Sequence, residues 1–445
     1  MPDSKTIRAL LRLAIPLSVA ELGWMAMGVV DVIMVGNMPD SAGAIGAASL
    51  GSAFFYPFAV AAVGLFSGLD TLVSHAHGAG DRAEARRSLG SGLAIALIAA
   101  PVAIALIRCA SPLLSHLGVA PSVSKGALGF IHILVWSLPL LLVYSCLRRF
   151  LQGIHCVRPI TVALVSSNLV NALFNWIFIY GHWGAPALGV RGSALSTCLA
   201  RIYLTVFLLC AVWIKDPRAI RGLHASRRVV LQLLRLGLPA AATIGLEVGV
   251  FHTATVLAGM INPVSLAAHT IVLNAAAVTY MLQIGLASAT AVSVGRLRGA
   301  DDLPGAVRTG WTALGVGTAL ELVSVALFLL LPREIAHFYT ADPRVIRASV
   351  TLFAIAAGFQ IFDGLQAVAT GALRGWGDTH SSMYWNLGAY WVVGLPIGCW
   401  LAFRLGWGVV GLWDGLWLAL ILTAIGLTAA LYRRCGEFAL PLKVN

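Results

Sequence analysis

The sequence predicts an all-α polytopic membrane protein, with twelve transmembrane helices arranged as two parallel six-helix repeats. Three observations predict this class. Apolar stretches of about 18 residues or more recur along the chain, and each is long enough to cross a bilayer as a helix. Charged residues make up only 11% of the chain, and its mean hydropathy is +0.87. The second half also repeats motifs of the first half in the same order.

The composition excludes the other broad classes. A soluble chain carries about 25% charged residues, more than twice the fraction found here. A transmembrane β-barrel is excluded because its strands alternate in short segments of about ten residues. Glycine, proline and charged residues divide the chain into twelve predicted spans, numbered 1 to 12 in chain order: 9–36, 46–74, 88–109, 124–147, 159–181, 189–214, 232–260, 265–292, 305–331, 346–373, 381–403 and 408–432.

The basic residues predict orientation rather than a nucleic-acid partner. The net charge is +12, but no run of clustered basic residues with interleaved aromatic residues occurs. Most of the 30 lysines and arginines fall in loops on one side of the predicted membrane, which predicts that both termini lie in the cytoplasm. We expect the protein in the cell inner membrane. The first apolar stretch is too long for a cleavable signal. The seven cysteines have no spacing typical of a disulfide or metal site.

Spans 1 and 7 begin with the same motif. "LLRLAIP" at Leu10–Pro16 returns as "LLRLGLP" at Leu233–Pro239, and "HGAGDRAEARR" in the loop after span 2 returns as "RGADDLPGAVR" in the loop after span 8. Two shorter pairs recur at nearly the same offset, about half the chain. The prolines of the first pair each remove a backbone hydrogen bond and permit a kink in the helix.

The repeat divides the chain into an N-lobe, residues 1–222, and a C-lobe, residues 223–445, joined by the polar and basic stretch near 215–231. Six spans are an even number, so both halves cross the membrane in the same sense. The implied symmetry axis lies along the membrane normal, an arrangement typical of secondary transporters with sites between or within the halves. A duplicated scaffold without a transport role is the alternative.

Acidic residues within the spans are the main functional signal. A charge at the centre of a bilayer costs roughly 2.5–3.5 kcal/mol, and Arg201 is the one basic residue that we expect deep enough to pair with an acid. The other deep acids must then be protonated, hydrated in a cavity or bound to a cation, which are the states of a cation-coupled transporter. The acids within spans are Glu21, Asp31, Asp70, Glu247, Glu321, Asp363 and Asp414, of which Asp70 and Asp414 lie near span ends.

Polar side chains at helical spacing occur on two of the predicted spans, one of which carries Asp363. Gln360 and Gln366 flank Asp363 at three-residue spacing, and Asn171 and Asn175 lie one turn apart on span 5. Two carboxamides one turn apart suit an oxygen cage for a small cation or a proton relay beside a carboxylate. Interhelical hydrogen bonding, worth about 0.6 kcal/mol per bond, is the alternative for the asparagines.

The motifs of intramembrane enzymes and of ATP-driven pumps are absent from the sequence. We therefore expect no enzyme activity and no cofactor, and an ion gradient as the source of energy. The aromatic side chains within the spans suit a lipophilic cationic guest held against their π faces, although core packing or an interfacial belt is the better explanation for any one of them alone.

Several segments together resemble the multidrug and toxic compound extrusion (MATE) family. They are "IPLSVAELGWMAMGVVDVIMVG", "LPAAATIGLEVGVF", "ASATAVSVGRLRGA", "GALRGWGDT" and "NLVNALFNWIFIYGHWGAPALGVRGSALST", and the similarity extends over the whole chain. The resemblance implies twelve helices in two lobes that rock to give alternating access. It also implies export of cationic, lipophilic drugs and toxins in exchange for Na⁺ or H⁺. A flippase of lipid-linked saccharides or lipids from the same superfamily is the alternative function.

Within the family the sequence is most similar to the NorM branch. The resemblance implies a C-lobe site for substrate and coupling ion, with Na⁺ at the two acids if Na⁺ is used, and an N-lobe site for the coupling ion. The aromatic residue expected on span 10 is Phe359, which lacks the hydroxyl that a tyrosine would offer to Na⁺. We expect a monomer in contact with membrane lipids. The implied C-lobe residues are Glu247, Tyr280 and Asp363, and the implied N-lobe residues are Asp31, Asn171, Asn175 and Thr197.

Overall fold

The computed structural model of the chain describes residues 4–38, 41–116 and 121–439. Within these ranges the regular structure is helical throughout, and no strand occurs. Twelve helices are long and apolar enough to cross a membrane, which confirms the predicted fold class. Spans 1 to 12 occupy Ser4–Gly36, Gly43–Gly78, Arg82–Leu114, Pro121–Gly153, Arg158–Tyr180, Val190–Lys215, Arg227–Ile261, Pro263–Gly299, Leu303–Leu330, Pro343–Gly375, His380–Arg404 and Val409–Gly436.

Several spans are not uniform α-helices. Short 3₁₀ turns interrupt span 2 at Leu65–Ser67 and span 4 at Val135–Ser137. Span 11 contains two stretches of π-helix, Leu387–Gly394 and Trp400–Arg404. Two short helices outside the spans, Pro217–Arg221 and Pro332–Tyr339, follow spans 6 and 9.

The turns of the two halves share their backbone conformation as well as their sequence. Gly80 after span 2 and Asp301 after span 8 both adopt a positive φ, 74° and 62°. His155 after span 4 and Gly377 after span 10 do the same, at 61° and 78°. Residues other than glycine seldom adopt this left-handed conformation. This rare conformation recurs at equivalent positions of the two halves, which supports a duplicated scaffold.

The helices after two of these turns begin with the same cap. The Asp81 carboxylate accepts a hydrogen bond from the backbone N–H of Glu84 at 2.9 Å, at the start of span 3. The Asp302 carboxylate accepts one from the backbone N–H of Gly305 at 2.9 Å, at the start of span 9. Each aspartate satisfies a backbone donor that the first turn of a helix otherwise leaves without a partner.

By packing, the chain forms two compact units. The N-unit is Val19–Ala241, and the C-unit is Met1–Ser18 together with Ala242–Asn445. One boundary lies two residues after Pro16 of span 1, and the other lies two residues after Pro239 of span 7. The two boundaries are therefore separated by the same offset as the repeated motifs. The units differ from the predicted lobes at the start of two spans. The first part of span 1 belongs to the C-unit, and the first part of span 7 belongs to the N-unit. The chain thus passes from one unit to the other just beyond each proline.

Close backbone contact holds each of these exchanged segments in its unit. A Cβ atom on Gly237 of span 7 would lie 2.0 Å from the carbonyl oxygen of Leu65, in the 3₁₀ turn of span 2. A Cβ atom on Gly285 of span 8 would lie 2.2 Å from the hydroxyl oxygen of Ser18. That hydroxyl donates a hydrogen bond to the carbonyl oxygen of Leu282 at 3.0 Å. Only glycine permits these approaches.

Each unit has its own apolar core. Phe55, Phe66 and Phe150 are fully buried in the N-unit. The C-unit packs its largest buried side chains, Trp413 and Tyr390 among them, into one continuous cluster. Polar side chains at these depths must therefore find their partners within the protein.

We expect Asp81→Ala and Asp302→Ala each to destabilise the protein by about 1 kcal/mol, because each removes a helix cap. The repeat predicts losses of similar size at the two positions. The measurement is the apparent melting temperature of the purified protein in detergent. Glu334→Ala, at an exposed acid that caps no helix, is the control. An unchanged melting temperature in both cap variants would contradict the prediction.

Candidate functional site

Glu247 lies in a polar cluster formed by four spans of the C-unit. Its Oε1 atom accepts hydrogen bonds from the Tyr280 hydroxyl at 2.8 Å and from the Gln366 amide at 3.3 Å. The Tyr390 hydroxyl donates to Gln366 Oε1 at 2.9 Å and so orients that amide. Tyr390 belongs to the π-helical stretch of span 11, and π-helical turns are frequent at functional sites.

Asp363 lies beside this cluster on span 10. Its side chain is 6% exposed, and it interacts electrostatically with Glu247 and with Glu321 of span 9. Among the described residues, no lysine or arginine forms an ion pair with any of these three carboxyl groups. The structure thus brings together the predicted residues Glu247, Tyr280 and Asp363. We call these three residues, together with Gln366 and Tyr390, the acidic cluster.

Aromatic rings line one side of the acidic cluster. Phe251, one turn after Glu247, contacts the rings of Phe359 and Tyr390 edge-on, with centroids 6.1 and 6.2 Å away. Phe359 is buried and packs against Trp413 at 5.5 Å. A carboxyl pair beside aromatic faces is a suitable environment for a lipophilic organic cation. It offers fewer oxygen ligands for Na⁺, because Phe359 has no hydroxyl.

The four residues predicted for the N-lobe also converge, on spans 1, 5 and 6 of the N-unit. The Asn175 amide donates to Asp31 Oδ1 at 2.6 Å, and the Thr197 hydroxyl donates to Asp31 Oδ2 at 3.2 Å. The Asn175 amide also donates to Asn171 Oδ1 at 3.2 Å. The amide hydrogens of Asn175, and not its oxygen, therefore face Asp31. This arrangement suits a carboxylate stabilised by hydrogen bonds better than an oxygen cage around a metal ion.

No group of three or more histidine, cysteine or acidic side chains is arranged to hold a metal ion in the described part of the chain. His269, which is buried, is occupied on both ring nitrogens. Its Nδ1 atom accepts from the Trp413 indole at 3.1 Å, and its Nε2 atom lies 3.0 Å from the Thr255 hydroxyl.

The prediction that only Arg201 lies deep enough to pair with an acid is wrong. Arg148 forms an ion pair with Glu21, and Arg149 forms one with Asp70 at 2.7 Å. Both arginines were predicted to follow span 4, but its helix continues to Gly153 and carries their side chains into the protein interior. Hydropathy marks the end of the apolar stretch, whereas the helix ends where its backbone hydrogen bonds end.

Arg201 itself forms no ion pair with a carboxylate among the described residues. Its guanidinium donates to the Ser137 hydroxyl, lies 5.3 Å from the centre of the Phe55 ring and is 2% exposed. It interacts with Asp31 electrostatically from a greater distance. The acids of the N-unit are therefore balanced by nearby positive charge, in contrast to those of the C-unit.

Sequence reasoning missed two kinds of residue at these sites. Tyr390 is one of many aromatic residues within the predicted spans, and nothing in its sequence context indicates a hydrogen bond to Gln366. Arg148 carried a usable signal, since "YSCLRRFLQG" continues without a helix-breaking residue until Gly153.

Comparison with known proteins gives matches along nearly the whole chain. The family model described as MatE matches residues 16–177 and 239–400, two segments that begin at the repeated prolines. A Pseudomonas aeruginosa protein named "Probable multidrug resistance protein NorM" is 37% identical over 440 residues, covering 96% of this chain and 90% of that protein. A Burkholderia vietnamiensis protein named "Multidrug resistance protein NorM" is 34% identical over 426 residues, covering 93% of this chain and 91% of that protein.

Solved structures share the fold. The crystal structure of the eukaryotic MATE transporter AtDTX14 matches with a TM-score of 0.87 at 21% identity and covers 97% of this chain and 98% of that chain. A crystal structure of a MATE protein in the bent conformation matches with a TM-score of 0.88 at 19% identity, covering 97% and 96% of the two chains. At these identities the likeness establishes the architecture.

We expect Arg148→Met to destabilise the N-unit by about 3–5 kcal/mol, because it leaves the buried carboxylate of Glu21 without its partner. The double variant Glu21→Gln with Arg148→Met removes both charges and recovers most of the loss. The measurement is thermal unfolding in detergent.

Arg344→Met is the matched control for this measurement. Arg344 pairs with Asp342 at the protein surface, and we expect its replacement to leave the melting temperature unchanged. A double variant as unstable as the single Arg148→Met variant would contradict the interpretation that the pair neutralises Glu21.

Proposed function

Because the chain belongs to the MatE family, we propose that it is a secondary active multidrug transporter, which exports lipophilic organic cations in exchange for an inward flow of H⁺ or Na⁺. The names of its relatives, multidrug resistance proteins of the NorM type, support export of drugs and toxins. The observation that carries the proposal is the acidic cluster. Its carboxyl groups, partly buried at Glu247 and buried at Asp363, form no ion pair with a basic side chain among the described residues, and they lie beside aromatic rings.

The proposed mechanism is competition for the carboxyl groups of this cluster. When the site opens outward, the coupling ion neutralises Glu247 or Asp363, and the bound organic cation loses its attraction and leaves. The protein then rocks to an inward-open state, where the ion dissociates. The restored negative charge binds the next substrate cation. Charges buried in an apolar surrounding interact more strongly than in water, so one ion suffices to change the affinity.

Of the two ions, we propose H⁺ for this chain. Phe359 offers no hydroxyl ligand in the C-unit, and in the N-unit the amide hydrogens of Asn175 face Asp31. A proton needs one carboxylate oxygen, whereas a metal ion needs several oxygen ligands at once. We further propose that Asp31, with Asn171, Asn175 and Thr197, is a second site at which the coupling ion acts.

The remaining proposals concern the setting of the protein. It is a multi-pass membrane protein, and we propose that it lies in the cell inner membrane as a monomer with both termini in the cytoplasm. The proposed cycle requires no cofactor and no nucleic acid.

The alternative, a flippase of lipid-linked saccharides, requires a basic cavity that faces the lipid at membrane depth. Arg201 is the basic residue that the sequence predicts at such a depth. Its side chain is 2% exposed and is bonded to Ser137 inside the N-unit, so it does not face the lipid.

We expect Glu247→Gln and Asp363→Asn each to abolish efflux of a cationic dye such as ethidium, because neither neutral side chain can alternate between the substrate and the coupling ion. Expression should remain normal, since both changes preserve side-chain size. The measurement is dye accumulation in cells that carry the variants, with Glu334→Gln as the matched change at an exposed acid. Wild-type resistance in both variants would overturn the proposed site.

Varying Na⁺ and pH independently identifies the coupling ion. We expect everted membrane vesicles with an acidic lumen to accumulate ethidium in Na⁺-free medium, and a Na⁺ gradient alone to have no effect. Vesicles without the protein are the control for passive uptake. Accumulation that requires Na⁺ would contradict proton coupling. Movement of labelled lipid without any dye transport would favour the flippase instead.

A further inference from the structure

Glu321 on span 9 is a buried carboxyl group that the proposed cycle does not use. Its side chain is 1% exposed and lies in the same unit as the acidic cluster. Among the described residues, no lysine, arginine or histidine forms an ion pair with it. An ionised carboxylate at such a position is costly unless a charge or several donors stabilise it.

The hydrogen bonds around Glu321 leave acceptors without donors. Gln360 uses its amide hydrogens on Thr279 and, at 3.4 Å, on Glu321 Oε2. The Gln283 amide donates to the carbonyl oxygen of Gly317 at 3.1 Å. Three buried oxygens, the Oε1 atoms of Glu321, Gln283 and Gln360, then have no partner within hydrogen-bond distance in the described part of the chain, although the side chains of Ser324 and Gln283 also interact with Glu321. A proton on Glu321 supplies one of the missing donors.

The backbone of span 10 brings Glu321 next to the acidic cluster. A Cβ atom on Gly364 would lie 2.5 Å from Glu321 Cγ, 3.1 Å from Glu321 Oε1 and 3.3 Å from Gln283 Cδ. Glu321 and Gln283 therefore face the same point of span 10, directly beside Asp363. Gln360 precedes Asp363 by three residues on that helix, so it contacts Glu321 from the polar face that carries Asp363.

Electrostatics couples Glu321 to that site. Asp363 interacts with both Glu247 and Glu321, and among the described residues no lysine or arginine forms an ion pair with any of the three carboxyl groups. Like charges in an apolar surrounding oppose each other, so ionising one group disfavours ionising the next. A gain or loss of charge at Asp363 must therefore change the tendency of Glu321 to hold a proton.

We propose that Glu321 is a further proton-exchanging residue of the C-unit, which holds a proton in the substrate-free protein and releases it when an organic cation binds at the acidic cluster. The positive charge of the guest offsets the added negative charge, and the O–H bond broken at Glu321 is replaced by an O–H bond on water, which carries the proton into the solution. The Gln360 hydrogens that point at Glu321 favour a proton over Na⁺ there. This inference rests on the proposed export of organic cations.

Proton release on substrate binding tests the proposal directly. Tetraphenylphosphonium is added to the purified full-length protein in weakly buffered detergent solution that contains a pH-sensitive dye. We expect the wild type to release protons and Glu321→Gln to bind the cation while releasing fewer, by as much as one proton per cation bound. Glu334→Gln makes the same chemical change at an exposed position and should release as many protons as the wild type.

A second variant keeps the test decisive if Glu321→Gln does not fold. Gln360→Leu leaves Glu321 in place but removes the donor to its Oε2 atom, which stabilises the ionised form. We expect the pH at which half of the protons are released to shift upward in this variant. An acid that stays protonated throughout the cycle would leave this profile at its wild-type position.

The outcomes separate this inference from the proposed function. Wild-type proton release in Glu321→Gln, or an unshifted profile in Gln360→Leu where Glu321→Gln does not fold, overturns the role of Glu321 and leaves proton-coupled export intact. A wild-type protein that binds the cation without releasing any proton overturns proton coupling itself. A wild-type protein that does not bind the cation overturns the proposed substrate class.

Discussion

The structure of the C-unit depends on one electrostatic constraint, which is that carboxyl groups lie in its interior without a basic ion-pair partner in the part of the chain that the structure describes. Glu247 and Asp363 share a low-dielectric interior with Glu321, and their hydrogen-bond donors are hydroxyls and amides. Such groups tolerate either protonation state, whereas an arginine would hold the carboxylate permanently ionised. The acids therefore remain free to exchange a proton or to bind a cation, and span 11 supplies Tyr390 to support them.

In the N-unit, by contrast, basic side chains lie close to the acids within the spans. Arg148 neutralises Glu21, Arg149 neutralises Asp70, and Arg201 lies within electrostatic range of Asp31. Removing one member of a buried ion pair is costly, which makes these pairs suitable as structural elements. The two units thus share a backbone plan but distribute charge differently.

The repeat shows that the backbone plan and the distribution of charge are independent of each other. The left-handed turns and the aspartate caps recur because each half needs the same chain reversals. The prolines of spans 1 and 7 recur inside helices, just before the chain passes from one unit to the other. The acids do not recur. Aligned on the prolines, Glu247 corresponds to Trp24, which stacks on Tyr144, and Asp31 corresponds to Ala254. A turn is constrained by backbone geometry, whereas a carboxyl group within a span is retained for its chemistry.

The sequence by itself determined the twelve spans and the duplication, because hydropathy and repeat offset are properties of the chain alone. The resemblance to the MATE family implied the two groups of candidate site residues. The sequence placed Arg148 outside the membrane, since hydropathy does not report where a helix ends. Only the tertiary structure decided which acids are neutralised, that Gln366 and Tyr390 support Glu247, and that Glu321 lies against Gly364. These contacts join residues far apart in the chain, and packing alone brings them together.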